Sequence, residues 1–449
     1  VIRIVFLVEA LLLAAGFLLD RPLLSAVAGL GLAYLMLAYS YPDLAWALVW
    51  LAFPFSIEML FPGGHALQVP TEPMIFLAIL AWTARSLLVG SFRLPRSGLH
   101  APLAFLGAAS LVPILFGAYV LLCLKALSIA AVYVVFGYLY VVLTWRDASR
   151  AMRLVPWIVG SGAAWGLYGL ARIISGGGTS EQAYGAARPF FTEHGAYAAY
   201  LAMILPLALL LTLERRGWTR AAYASATLIM SLAVILCLTR ASWVGLAFVL
   251  PPVVAIWSWR RRSFRPVAVV AALAVMVVVI LSGIGYANDL SRHARSITSE
   301  HDVSNLERIN RWMAAIEMVK ARPWLGFGYA SYPSVYPEFR RKTVITELAY
   351  QYMSPHSELF RLLAESGFVG FFAACWFLTA AGIAGWRVYR RSPDSRDRLL
   401  SLAILAALGT YVIHGLFRTY IDLEKVAVPF WASLGVIAAM EHRLRDTPQ

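Results

Sequence analysis

The chain has 449 residues, 60% of them apolar and 14% charged, with a mean hydropathy of +0.70. That composition excludes a water-soluble globule and makes the chain a polytopic α-helical membrane protein, all-α in class. The net charge of +14 would suggest nucleic acid in a soluble protein. Here the arginines fall in short connections between apolar windows, as the positive-inside rule requires, so membrane lipid is expected as a partner and nucleic acid is not.

In chain order the spans are expected at 2–19, 22–40, 43–61, 72–91, 101–119, 125–144, 154–174, 195–213, 221–239, 242–259, 266–284, 357–387, 399–420 and 424–441. That is fourteen, or twelve if two short ones are half-crossings. Such lengths suit a helix that rises about 1.5 Å per residue across ~30 Å of hydrocarbon. No period-2 alternation supports a barrel. The first window lacks a small-residue cleavage site and is expected to stay in the membrane. Basic clusters at Arg93/Arg96, Arg146/Arg150/Arg153, Arg215/Arg216/Arg220, Arg260–Arg265, Arg387–Arg398 and Arg443/Arg445 alternate with the spans and put both termini in the cytoplasm. The organisation is then a scaffold over 1–284 with short far-side loops, a long far-side loop over 285–355, and C-terminal helices with a short tail over 356–449. Cys123, Cys237 and Cys375 each sit in an apolar window without disulfide or metal spacing.

Three far-side connections keep arginine where the rule would remove it: 175–194 with Arg188, the junction at Arg240, and the long loop. Arginine retained there points to an anionic partner. Long loops translocate regardless of charge, so Arg188 and Arg240 carry more of that inference than the loop arginines. Within the loop, Ser304-Asn-Leu-Glu307 has capping-box spacing, Leu306, Ile309, Met313 and Ile316 form an apolar stripe, and Pro323 ends the pattern. This amphipathic helix is expected on the membrane surface or on the bundle. Arg308 and Arg311 lie to one side of the stripe, suited either to phosphate or to interfacial water. Beyond it, Pro333 and Pro337 discourage regular helix, and Tyr332, Tyr336, Tyr350 and Tyr352 read as an interfacial aromatic belt before a sugar-stacking surface.

No Walker loop, dinucleotide fingerprint, Asp-x-Asp pair or metal-spaced cluster occurs, and Glu193-His194 and Glu300-His301-Asp302 read as solvated loop residues, so neither a metal nor another cofactor is expected. His356 stands out by its place. With Ser354 as N-cap and Pro355 in the first position, it is expected in the first turn of a long helix, whose dipole would keep the imidazole neutral and whose free N–H groups suit a phosphate. A neutral imidazole is the form a general base needs; an interfacial histidine without a task is the competing reading. Leu363, Gly367 and Gly370 fall on the same face and would leave a smooth groove for a lipid chain or another helix. Glu365, half a turn round, suits a packing role better than orienting His356.

These pieces together resemble the O-antigen ligase and polymerase superfamily of bacterial membrane glycosyltransferases. The resemblance covers most of the C-terminal two thirds. It is carried by Arg188-Pro-Phe-Phe, Leu238-Thr-Arg240-Ala-Ser-Trp243, Asn305-Leu-Glu-Arg308 with Trp312, Arg322-Pro-Trp-Leu-Gly326-Phe-Gly328, and Pro355-His356 with Leu363-Ala-Glu365-Ser-Gly367-Phe-Val-Gly370. The resemblance implies about twelve transmembrane helices, a large periplasmic loop, the bacterial inner membrane, and metal-independent transfer of a glycan from undecaprenyl pyrophosphate to an acceptor hydroxyl. It further implies His356 as the base and Arg188, Arg240 and Arg308 on the pyrophosphate, with Ser357, Glu365, Trp312 and Arg311 as secondary candidates. The family has His-Asn where this chain has His356-Ser357, so a contact made by that Asn amide does not carry over. A ligase acting on a sugar of the lipid A core is preferred to a polymerase joining lipid-linked repeats. A lipid or solute transporter is the reading from another class, and it would need midplane breaks repeated in two halves, which the sequence does not show.

Overall fold

The computed structural model describes residues 22–61, 65–90, 94–145, 148–177, 180–283, 303–340 and 354–446. The expected span 2–19, Arg93, Arg146, the Glu300-His301-Asp302 run, Tyr350 and Tyr352 lie outside these residues. Among the described residues eight helices are long and apolar enough to cross a membrane: Thr71–Val89, Val120–Thr144, Ser149–Ser175, His194–Glu214, Gly217–Leu236, Arg240–Arg261, Glu358–Arg391 and Ser395–Gly415. Four shorter apolar helices accompany them, Ser25–Ser40, Pro42–Ala52, His100–Leu115 and Arg265–Val277. The expected polytopic α-helical architecture is what forms.

The helix His194–Glu214 stands at the centre. Its sequence is apolar on every side, and 89% of its hydrophobic window is buried, so it is lined by other helices instead of lipid. Without a hydrophobic drive between helices in hydrocarbon, close packing needs small residues. Val120–Thr144 and Glu424–Asp446 meet in this way: a Cβ on Gly137 would lie 2.8 Å from that of Trp431, and one on Gly435 2.9 Å from the Tyr138 carbonyl oxygen.

One expected span is not a full crossing. Pro42–Ala52 has 11 residues and gives way, at a short 3-10 turn over Phe53–Phe55, to an antiparallel hairpin pairing Ile57–Phe61 with His65–Val69. Proline at 54 disfavours continuing the helix, which a hydrophobic tally over 43–61 overlooks.

The bundle has two chemically different ends. At one, arginines are paired off: Arg150 with Asp43, Arg443 with Asp397, and Arg445 and Arg387 with Glu441, which also takes hydrogen bonds from Ser97 and the Gly98 amide. These are the clusters that the charge rule collects on one side. The opposite end carries Arg188, Arg240, Arg308 and His356, and there the described part of the long loop, 303–340, folds onto the bundle.

Folded onto the bundle, the loop departs from expectation in three ways. The helix Val303–Ala321 forms, but it buries Glu307, Asn310, Arg311, Ala314, Ala315 and Met318, while Ile309 of the aliphatic stripe is 46% exposed. Of the stripe only Ile309 faces outward, while Leu306, Met313 and Ile316 are half-buried and the inner face is taken by side chains with polar partners. Tyr332–Phe339 is a helix despite its prolines, since Pro333 sits in the first turn where no N–H is needed. Tyr332 and Tyr336 are fully buried beneath Arg311, so they are core residues and not a belt.

Candidate active site

The helix bearing the candidate base begins later than its sequence suggests. It runs Glu358–Arg391 with Ser357 at the cap position, so Ser354 and Pro355 do not cap it and His356 precedes its first turn. His356 takes a left-handed backbone conformation, φ 53°. For a residue other than glycine or asparagine this costs about 1–2 kcal/mol, so surrounding contacts must hold it.

Those contacts come from the loop helix. Arg311 donates from Nη1 to the Ser354 carbonyl at 3.2 Å, and Trp312 donates from Nε1 to the Pro355 carbonyl at 3.0 Å while stacking on Phe360. Arg311 is itself fixed by Glu307, Nε to Oε1 2.7 Å, with both side chains almost wholly buried. Tyr332 donates its hydroxyl to the Arg311 carbonyl at 2.7 Å, and the guanidinium lies over the Tyr336 ring. Arg311 and Trp312 therefore set the His356 turn. Arg311→Leu leaves the Glu307 carboxylate buried without its cation, an expected loss of about 3–5 kcal/mol. Thermal unfolding in detergent checks this, and Glu307→Leu with Arg311→Leu should recover much of the loss.

A second support lies on the opposite side of the turn, in the connection 416–423. The expected span ran to 420, but the helix ends at Gly415 and leaves Arg418 on a loop. Glu358 pins that loop by accepting from the amides of Tyr420 at 3.2 Å and Ile421 at 3.3 Å, and Ser354 shares a hydroxyl hydrogen bond with Thr419. Arg418 then reaches His356, Nη1 to Nδ1 3.4 Å, and Glu193, Nη1 to Oε2 3.9 Å. Sequence reading missed Arg418 because the residues around it were counted into a span. The signal that applies to it is the one used for Arg188 and Arg240, an arginine apart from the basic clusters that the charge rule collects.

His356 is half-buried, and burial, then Arg418, Arg311 and Arg308, pull its pKa down to about 3. The ring is neutral as expected, through burial and three guanidinium groups where the sequence pointed to a helix dipole. Arg188 is exposed in the segment leading to Glu193, and its carbonyl accepts from Tyr168 at 2.7 Å and Arg172 at 3.2 Å. Arg240 opens the helix Arg240–Arg261 after a left-handed turn at Leu238, two residues before Ser242, whose hydroxyl meets His414 Nδ1 at 3.3 Å. Arg308 is half-buried on the loop helix. These three reach the same end of the bundle from separate elements.

The remaining candidates are structural. Glu365 is buried, accepts from the amides of Ala330 at 2.9 Å and Tyr332 at 3.2 Å, and pairs with Arg361 at 3.0 Å. That is the packing role its position suggested. Ser357 is buried with its hydroxyl unpaired among the described residues. The groove expected along Gly367 and Gly370 is filled by the chain itself. The helix breaks at Gly367, and the strap Pro323–Gly328 takes up the freed backbone groups: Phe327 N to Ala364 O 3.1 Å, Gly328 N to Glu365 O 2.8 Å, Phe368 N to Pro323 O 2.8 Å and Val369 N to Trp324 O 3.2 Å.

Cavities separate the two ends further. One cavity of about 1160 Å³ opens among Arg96, Trp145, Asp397 and Arg443 at the paired-arginine end and is not lined by His356, so size alone does not mark the site. An apolar cavity of about 580 Å³ lies beneath the Arg418 loop, lined by residues including Ala130, Phe371, Leu416, Ile421 and Trp431.

Residues 225–375 match the family model described as O-antigen ligase. Over that stretch the chain is similar to the O-antigen ligase family. The match includes Arg240, Arg308, Trp312, the strap and His356, while Arg188 and Arg418 lie outside it. Comparison with curated proteins gives no match. The matched family is one of glycosyltransferase-like ligases and polymerases, and the apolar helices fit a multi-pass membrane protein.

Proposed function

We propose that this O-antigen ligase family protein transfers a glycan from undecaprenyl pyrophosphate to a sugar hydroxyl of the lipid A core, at the periplasmic face of the bacterial inner membrane, with both termini cytoplasmic. The observation that carries the reading is the neutral imidazole of His356, held in a strained turn among arginines at the end of the bundle away from the paired cytoplasmic-type clusters. Pyrophosphate leaves readily once its charge is neutralised, and arginine forks can do this bidentately without a divalent ion. Arg188, Arg240 and Arg308 take that role, with Arg418 added to them. His356 accepts the hydroxyl proton, the hydroxyl oxygen attacks the anomeric carbon, and the bond to the pyrophosphate oxygen breaks with inversion. The apolar cavity under the Arg418 loop suits part of a lipid chain whose headgroup sits above it.

The test is transfer by purified protein from isolated lipid-linked donor to lipid A core in the presence of a chelator. Sustained product formation is expected, and activity that requires added metal or an ion gradient would overturn the reading. A strain lacking the gene decides the acceptor. Accumulated lipid-linked polymer with no attached O-antigen fits a ligase, and a core capped with one repeat fits a polymerase. The low pKa of His356 adds a kinetic expectation. The free enzyme holds this ring neutral across about pH 5 to 8, so kcat/KM should show no acid limb from His356 there, whereas an ordinary histidine would give one near about 6.5.

A further inference from the structure

The hydrogen bond between Arg418 and His356 fixes more than position. A guanidinium has only donors, so when Arg418 Nη1 meets His356 Nδ1 at 3.4 Å, Nδ1 must be the acceptor. A neutral imidazole has one lone-pair nitrogen and one N–H, so the proton then sits on Nε2. In this arrangement the ring offers an incoming hydroxyl only an N–H. The resting site therefore holds the base with its single accepting nitrogen already occupied.

We propose that Arg418 is a latch on His356, covering the base's lone pair until the anionic pyrophosphate of the donor draws the guanidinium away. The proposal rests on the reading of His356 as the base in glycan transfer. The geometry favours release. At 3.4 Å the contact is long for a hydrogen bond, and its acceptor is neutral. The other anchor of Arg418, Glu193, is 3.9 Å away and its side chain is 47% exposed, where an ion pair is weak. A pyrophosphate carries several negative charges and can take the guanidinium fork bidentately, whereas His356 is neutral and Glu193 offers one distant, exposed carboxylate, so a pyrophosphate in reach outcompetes both partners.

The other charged groups facing the imidazole are Arg311 and Arg308 from the loop helix, with Glu193 behind Arg418. Arg311 cannot swing out, being buried and held by Glu307 and the Ser354 carbonyl. Arg418 is the one with a weak hold and a loop backbone. Once it moves, the freed nitrogen takes the acceptor proton, the ring becomes imidazolium, and Arg418 stays on the leaving pyrophosphate, which keeps the electron pair of the broken bond. Donor binding thus precedes activation of the acceptor, and water meets no active base in the empty enzyme.

The experiment is nitrogen NMR of the full chain in detergent with ¹⁵N-imidazole histidine, the His356 signals assigned by difference against His356→Gln, with inorganic pyrophosphate as probe. Without pyrophosphate, His356 is expected as the Nε2–H tautomer with no titration from about pH 5 to 8. With saturating pyrophosphate, it is expected to titrate within that range. A resting Nδ1–H tautomer, or a titration indifferent to pyrophosphate, overturns the proposal. Arg418→Met gives a second measurement through carbethoxylation by diethyl pyrocarbonate, with His442 at the opposite end as internal standard. His356 should react at least fivefold faster in the variant than in wild type while His442 is unchanged, and equal rates would also overturn the latch. Neither measurement uses a glycan. If His356→Ala abolishes transfer but the ring ignores pyrophosphate, only the latch fails, whereas normal transfer by His356→Ala removes the base whatever the ring does.

Discussion

His356→Ala is expected to lower kcat for glycan transfer by about 10²–10⁴-fold, the range that a positioned general base contributes, with a much smaller change in donor KM. The separation follows from the division of labour in the site. In the proposed assignment donor affinity rests on arginines from four different elements, Arg188, Arg240, Arg308 and Arg418, of which Arg418 alone is hydrogen-bonded to His356 among the described contacts. Alanine at a left-handed position carries its own backbone cost, so His356→Asn is the paired variant, since asparagine tolerates that conformation but cannot serve as a base. Both should lose turnover alike. Initial rates with purified donor and acceptor in chelator supply the measurement, and near-wild-type kcat in either variant would remove His356 from the reaction.

The sequence made some of this legible because some of its signals are local. Hydrophobic length marks most of the spans, and the alternation of arginines separates the two ends. His356 was visible for its place between a polar loop and an apolar helix. What could not be read is what depends on meeting a distant segment. Nothing local tells that Arg311 turns inward to Glu307 and the Ser354 carbonyl while Ile309 turns outward, because the amphipathic rule assumes the polar face is the wet one. Nothing near Pro323–Gly328 reveals that its partner is a break 40 residues later, at Gly367. Arg418 was concealed differently, by a span boundary drawn a few residues too far past Gly415.

That strap carries the second large expectation. Gly367 has φ 62° and ψ −164°, a region held almost only by glycine, and a Cβ there would lie 2.3 Å from the Trp324 carbonyl carbon and oxygen. Gly326 approaches from the other side, its would-be Cβ 2.5 Å from the Glu365 carbonyl carbon. Gly367→Ala therefore incurs about 1–3 kcal/mol of backbone strain, and the clash is with backbone, which no rotamer change relieves. To escape it the strap must lift, giving up four backbone hydrogen bonds worth about 0.5–1.5 kcal/mol each. Lifting also disturbs a chain of contacts that ends at the turn preceding His356: Ala330 and Tyr332 on Glu365, Tyr332 on the Arg311 carbonyl, Arg311 on the Ser354 carbonyl. The variant should lose folded yield or unfold well below wild type in detergent, and whatever folds should transfer poorly. Gly382→Ala in the same helix is the control, because an added Cβ there meets nothing within 4 Å, and helix propensity alone makes it neutral or slightly stabilising. Equal melting of Gly367→Ala and wild type would mean that the strap does not hold the broken helix, and that the His356 turn is set without it.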